Sequence, residues 1–551
     1  MYSKINLNSK TFLVIFFLIS FVILSAIHSN YDSPTPGATD DYSYLLAADT
    51  FAEGRVTNPP HQYWQFFENA HILSIPTHMS KYQPGYGAIL ALGQVIFGHT
   101  FYGVILATAL FAASFFWMSK SILDKKFALF GAFFILVYFG IFSYWGISYF
   151  GGASLSSFAV CLVLGAYFNS LKLQKLSYPI QFFIGCAILF FTRPYEGGVF
   201  VIAVLFCIFF DVLKNKINFK TSKAFIFIGI ISTVLIFSLQ GFYNYKVTGS
   251  YTTLPYQEHV NQYMHARIFA FLDAKTPDIS PTNQILKKLY SQWEMQEFNK
   301  VKSMNFFENL KYSFERIFNV SGFLVYFLMS IIFCVFYTKS DEVDKKLIFM
   351  TSLTILASSI IPWKANHYMF AMIVLMIFFI LKTIVGFLAV AKNDKSIISF
   401  FKKYKILIGV ILIFYIIIGI YMNILVQKRI KEQNSKNIEN YVVNWTGDKQ
   451  KIISELEKSS QLNLVFVRYK DYVKSGEEEI FDNPSLYDST LGFVYNYKSD
   501  IDSNTTVFAH DLGEAENKKL IEYYKAKKEN RAVWILDLSN IKDEYKVLSY
   551  K

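Results

Sequence analysis

Up to residue 425 the chain alternates long apolar runs with short polar breaks. Runs close to the roughly 20 residues that cross a bilayer as a helix lie at 11–27, 100–122, 127–145, 152–171, 179–192, 194–212, 224–241, 321–337, 346–361, 367–390 and 405–425. The pattern predicts about eleven spans. Two of them, 179–192 and 194–212, are short and are divided by Thr192-Arg193-Pro194-Tyr195-Glu196-Gly197-Gly198. Those residues suit an interfacial turn better than mid-bilayer.

Beyond 425 the pattern changes. Long apolar runs stop, and 428–460 carries the interspersed Glu and Lys of a helix. Asn463–Tyr469, Thr506–Ala509 and Arg531–Leu536 read as strands. Glu514–Lys528 has helical composition, which completes a strand–helix–strand unit. The expectation is an all-α polytopic membrane domain over 1–425, with polar loops at 28–99 and 242–320, followed by a soluble α/β domain over 426–551.

Composition agrees with this division. Hydrophobic residues make up 53% of the 551 and charged residues 17%, which excludes a disordered, collagenous or disulfide-stapled chain. The net charge of +12 is explained by loop lysines rather than by nucleic acid. With the N-terminus inside, the inward segments hold 19 Lys/Arg, whereas the short outward turns hold only Arg193 and Lys364. This asymmetry orients the chain with its N-terminus cytoplasmic and its C-terminal domain extracytoplasmic. Ser25-Ala26-Ile27-His28 faintly resembles a cleavage site, but the first span reads as an uncleaved anchor. All four cysteines lie in apolar runs, so no disulfide framework or cysteine-based zinc site is expected.

The same topology puts nearly every unusual polar cluster on the outer face. In the first loop, Asp40-Asp41 follows Pro34-Thr35-Pro36-Gly37 and opens a helical run. Either the pair meets the free N–H groups of the helix start, or one carboxylate is a general base for an acceptor hydroxyl. Lys81, in Ser80-Lys81-Tyr82-Gln83-Pro84-Gly85, reads either as a ligand for a lipid phosphate or as a snorkelling lysine. Arg193 and Lys364 are further outward cations, and three cations would cradle an anionic head group. Glu196 reads as a structural partner of Arg193. His61, His71 and His78 lack tight metal-ligand spacing. No cofactor is required, and a divalent cation held with Asp40 and Asp41 stays an open alternative.

These motifs, in this order and on this face, resemble the GT-C class of membrane glycosyltransferases, specifically bacterial relatives of protein O-mannosyltransferases and lipid A aminoarabinose transferases. The resemblance rests on Asp40-Asp41-Tyr42, Lys81-Tyr82-Gln83-Pro84-Gly85 and Phe97-Gly98. It is closer to an uncharacterised branch carrying Tyr149-Phe150-Gly151-Gly152, Arg193-Pro194-Tyr195-Glu196-Gly197 and Trp363-Lys364-Ala365-Asn366-His367. The resemblance implies a polyprenyl-phosphate sugar donor and inversion at the anomeric carbon. It also implies an acceptor that is an envelope glycan, lipid or protein, and a place in the bacterial cytoplasmic membrane. By the same resemblance Asp40 is the general base with Asp41 beside it. Lys81, Arg193 and Lys364 bind the donor phosphate, and Tyr82, Glu196 and His367 support them. The rival readings are a lipid or sugar transporter, whose internal repeat is not visible here, and a non-catalytic envelope scaffold.

Overall fold

The computed structural model describes residues 9–29, 36–149, 152–321, 341–363, 366–393, 445–459, 461–469, 491–538 and 546–550. Most of the 321–337 run, the 405–425 run and the 428–444 part of the expected helix lie outside them. Among the described residues, six helices are long and apolar enough to span a membrane: Lys10–His28, Phe101–Ser119, Lys125–Phe142, Ala153–Leu173, Pro194–Leu213 and Phe219–Thr248. Pro84–Phe97, Ser177–Phe190 and Phe370–Gly386 are shorter apolar helices. The chain is a multi-pass, mainly helical membrane protein with a small C-terminal α/β domain.

Packing explains which helices are central. Phe101–Ser119 and Ala153–Leu173 are buried along most of their length. Phe219–Thr248 instead exposes Phe227, Ile230, Val234 and Phe237. Such a surface is costly in water and natural against lipid tails. The Pro84–Phe97 helix crosses the start of Phe101–Ser119 at a paired glycine contact. A Cβ on Gly103 would lie 2.4 Å from the Ile89 carbonyl oxygen, so only small residues permit this backbone approach.

Charges within the helical region are matched. Asp211, buried at the end of Pro194–Leu213, lies 2.6 Å from Lys346 Nζ and accepts a hydrogen bond of 2.5 Å from the Tyr167 hydroxyl. Lys382, which lies within the expected span 367–390, reaches Asp344 at 2.6 Å and Asp341 at 2.8 Å. The run expected as one span over 127–145 is interrupted. Its helix Lys125–Val137 passes into a π-turn, Tyr138–Phe142, and a separate turn, Tyr144–Ile147, follows.

A two-residue antiparallel hairpin, β1 (Ile72–Leu73) with β2 (Met79–Ser80), lies in the first loop. The C-terminal sheet contains β3 (Asn463–Tyr469), β4 (Thr506–His510), β5 (Ala532–Leu538) and β6 (Lys546–Ser549) in the order β4-β3-β5-β6. β3 runs parallel to β4 and β5, and β6 closes the edge antiparallel. The helix Glu514–Ala526 carries the chain from β4 across to β5. On β3, Leu464 and Phe466 join one core and Val465 and Val467 another, as strand alternation requires.

Both faces of this sheet also recruit the first loop. Phe66 and Phe67 pack with Leu464, Phe466 and Leu520, while Tyr42, Leu46 and Ile72 pack with Val465 and Phe508. Asp49 Oδ2 accepts hydrogen bonds from the Ser499 backbone N–H and hydroxyl, each at 2.7 Å. The α/β domain therefore shares its core with the loop that carries the acidic pair.

A candidate active site around Asp40

The site begins with the helix Thr39–Ala52. Its N-cap is Ala38, which offers no side-chain cap, and Asp40 and Asp41 fill its first turn. Carboxylates there are favoured by the helix dipole. The two then diverge. Asp41 is fully buried, and its Oδ2 accepts a hydrogen bond of 2.9 Å from the Gly37 N–H, fixing the turn ahead of the helix. Asp40 is only half-buried and faces the opposite way, into a cluster of tyrosines and cations.

The hairpin delivers part of that cluster. Ser43, one helical turn from Asp40, donates 2.6 Å to the His71 carbonyl and lies 2.7 Å from Ser80 Oγ. These bonds clamp the hairpin to the helix by both of its ends. His71 precedes β1 and Lys81 follows β2, and the Lys81 N–H donates to the His71 carbonyl at 3.1 Å. His71 Nε2 thereby comes 3.6 Å from Asp40 Oδ2. His71 also takes φ of +63°, a left-handed conformation that costs a non-glycine residue about 1–2 kcal/mol. The hairpin, helix and second loop hold it there, since the Tyr290 hydroxyl lies 3.3 Å from its N–H.

Tyr82 donates a short hydrogen bond from its hydroxyl to Asp40 Oδ1. Burial, and then the Asp40 charge, push this phenol well above its ordinary value, so it stays protonated as a donor. Its ring stacks on Tyr44 at 4.6 Å. Lys81 Nζ lies 5.3 Å from the Tyr82 ring centre and 4.9 Å from that of Tyr256, a cation–π sandwich. Burial lowers the Lys81 ammonium, opposed by Glu294 and Asp40. Glu294, itself buried, is raised chiefly by desolvation, against the pull of Lys81. His71 is driven down to about 3 by burial and by Lys81, so it is neutral near pH 7.

A cavity of about 530 Å³ adjoins this cluster. Its polar lining includes Tyr82, Arg193, Glu196, Tyr256, Arg267 and Tyr368, with Phe269, Leu272 and Ile361 on the apolar side. Arg193 lies 5.0 Å from the Tyr368 ring centre, and its Nη2 is 3.4 Å from the Tyr44 hydroxyl. Asp40 itself is not in the lining. It meets the cavity through Tyr82.

Asp40, Lys81, Tyr82, Arg193 and Glu196 are therefore gathered at one place, with Asp41 directly behind. His367 falls in the 3-10 turn Asn366–Met369, and Lys364 lies outside the described residues. Sequence reasoning missed His71 as an Asp40 neighbour, it named Tyr256 only within the motif Leu254-Pro255-Tyr256, and it did not single out Arg267, Tyr290 or Glu294. They come from the second loop or the hairpin and share no motif with Asp40. Among the described residues, no group of three or more His, Cys, Asp or Glu has metal-binding geometry. The Asp40–His71 approach joins two such groups.

Fold and site together define a multi-pass membrane protein with a half-buried carboxylate–phenol pair beside a cationic, partly apolar cavity. The chain is similar to solved structures of the oligosaccharyltransferase of Archaeoglobus fulgidus. One, the archaeal oligosaccharyltransferase AglB bound to an inhibitory peptide and a dolichol-phosphate, matches at 12% identity and a TM-score of 0.45, covering 96% of this chain and 69% of that one. Another, in complex with Zn and sulfate, matches at 15% identity and a TM-score of 0.41, covering 70% of this chain and 50% of that one. This chain thus spans half the length of the second structure. No protein-family model matches the chain, and no curated protein matches it in sequence.

Proposed function

We propose that the protein is a GT-C-like inverting glycosyltransferase that moves a sugar from a polyprenyl-phosphate donor to an acceptor hydroxyl. The observation that carries this reading is the pairing of Asp40 with Tyr82 at the wall of a cavity that also presents Arg193 and Arg267. A phosphate-linked sugar is already activated. The protein has only to orient the acceptor, take its proton and neutralise the leaving phosphate.

In this reading the acceptor oxygen attacks the anomeric carbon as the carbon–oxygen bond to phosphate breaks. Its proton passes to Asp40, whose carboxylate is positioned by the hydrogen bond from Tyr82. The phosphate departs with the bonding electron pair, and Arg193, Arg267 and Lys81 stabilise its charge. Arg193 suits this role because its guanidinium is stacked on Tyr368 and so pre-oriented. Glu196 and His367 are proposed as supporting groups, and Lys364 as a further ligand of the donor phosphate. The apolar side of the cavity offers the start of a path for the prenyl chain. The cytoplasmic membrane of a bacterium, with this site facing outward, is the matching location.

The test compares envelope glycans by mass spectrometry in a deletion strain carrying wild type or Asp40→Asn at matched membrane levels. A sugar-sized mass restored only by wild type supports transfer and identifies the acceptor. Equal restoration by both would reject Asp40 as the base.

A further inference from the structure

We infer that a second groove, formed where the first loop, residues 282–288 and the α/β domain meet, binds a neutral glycan. The groove has a volume of about 680 Å³ and is separate from the Arg193 cavity, with no lining residue in common.

Three features set its ligand chemistry. First, Gln62, Gln65 and Gln284 line it, and among the described residues their amides form no hydrogen bond with the protein. An amide both donates and accepts, as does each hydroxyl of a sugar. Second, both carboxylates along the groove are paired with two of its three cations, Arg468 and Lys519, with Lys288 the third. Arg468 Nε lies 2.6 Å from Asp511 Oδ2, and Lys519 Nζ lies 2.6 Å from Glu516 Oε1. A lining with so small a net charge does not make a polyanion site. Third, Tyr63 and Tyr469 supply half-buried aromatic surface beside the amides, and flat apolar faces complement the C–H faces of sugar rings. The Tyr469 hydroxyl is 3.1 Å from His510 Nδ1, and His510 Nε2 is 2.7 Å from the Glu68 carbonyl oxygen, so this wall is rigid.

The groove is also tied to Asp40 by covalent and hydrogen-bonded structure. Its first-loop wall runs on through Glu68 to His71, and the Thr282 N–H donates to Glu68 Oε2 at 2.8 Å. A polymeric glycan seated here would be anchored away from its reacting end. That role as acceptor rests on the proposed transfer reaction, whereas glycan binding does not.

The experiment uses the full-length protein in nanodiscs, with neutral hexasaccharides of glucose, mannose and N-acetylglucosamine as probes and a Ser/Thr-rich peptide as the competitor class. Saturation-transfer NMR is expected to detect at least one hexasaccharide equally well with wild type and Asp40→Asn. Affinity should fall about tenfold or more, the loss of one or two hydrogen bonds, in Gln62→Ala/Gln284→Ala and in the blocking variant Thr282→Trp. The inference is overturned if no hexasaccharide binds at millimolar concentration, if binding survives both variants, or if only the peptide binds and the variants abolish that binding. Groove-dependent glycan binding while neither wild type nor Asp40→Asn restores a sugar-sized mass would instead sink the transfer reading alone.

Discussion

Tyr82 donates its phenolic hydrogen to the Asp40 carboxylate across a sequence separation of 42 residues. The bond joins the first turn of one helix to the residue after Lys81, and it is the point where the acidic pair meets the cavity. If Asp40 is the base, Tyr82→Phe keeps the stack on Tyr44 but frees one carboxylate oxygen. Turnover should fall about tenfold, the worth of one hydrogen bond to a charged group, with donor KM unchanged. Tyr82→Leu should raise KM as well, because stacking is also lost. Steady-state kinetics with a prenyl-phosphate sugar separates the two.

Asp40→Asn removes the proton acceptor while keeping shape. The expected loss in kcat is about 10²–10⁴-fold, with donor binding retained. Asp41→Asn should instead lower thermal stability, since the buried Asp41 carboxylate holds Gly37. Activity per folded molecule in that variant should fall far less. A scan of both variants by melting temperature and by single-turnover rate distinguishes the roles.

Arg193→Lys keeps the charge but discards the planar fork and the stack on Tyr368. Donor KM is expected to rise about tenfold. If KM is unmoved and only folding suffers, Arg193 is a structural residue.

Glu68 is buried, and desolvation raises its carboxyl to about 7 despite the hydrogen bond from Thr282. A raised folded value means the protonated acid is the form the native state prefers. Its favourable contribution is complete below the ordinary value near 4.5 and fades as pH rises to about 7. Glu68→Gln keeps an acceptor for the Thr282 N–H and removes the ionisation. The variant should therefore gain relative stability as pH rises through that window, by up to about 3 kcal/mol. Melting temperatures of both proteins between pH 5 and 8, a range of roughly the same width, check the sign.

Asp49 holds the α/β domain through Ser499. Asp49→Ala leaves the Ser499 N–H without this partner, a loss of about 1–3 kcal/mol. The expected result is faster protease cleavage within the α/β domain, with the membrane helices still assembled. Unchanged cleavage would mean that the aromatic contacts of Phe66 and Phe67 suffice for docking.

Much of the architecture was legible because its signals are local. A helix that must satisfy its own backbone in lipid announces itself as an apolar run, and helices begin within a few residues of the expected starts at Phe101, Ala153 and Pro194. The parallel strands were legible for the same reason, through alternation and β-branched or aromatic residues. β6 was not expected, because Lys546–Ser549 is short and pairs only at the sheet edge. The break after Val137 was missed because Tyr138–Phe142 stays apolar through its change of helical pitch.

By itself the sequence determined the multi-pass class, the α/β character of the C-terminal region and the choice of Asp40, Lys81, Tyr82, Arg193 and Glu196 as residues to examine. Short-range pattern and unusual polar residues suffice for that. Tertiary structure decided how the acidic pair divides, with Asp41 inward on Gly37 and Asp40 outward on Tyr82. It also placed His71 beside Asp40 and Tyr256 against Lys81, and added Arg267 and Glu294, which no motif marks. Such neighbours are set by where a clamped hairpin and a folded-over loop come to rest, and burial changes their charge states only once that packing exists.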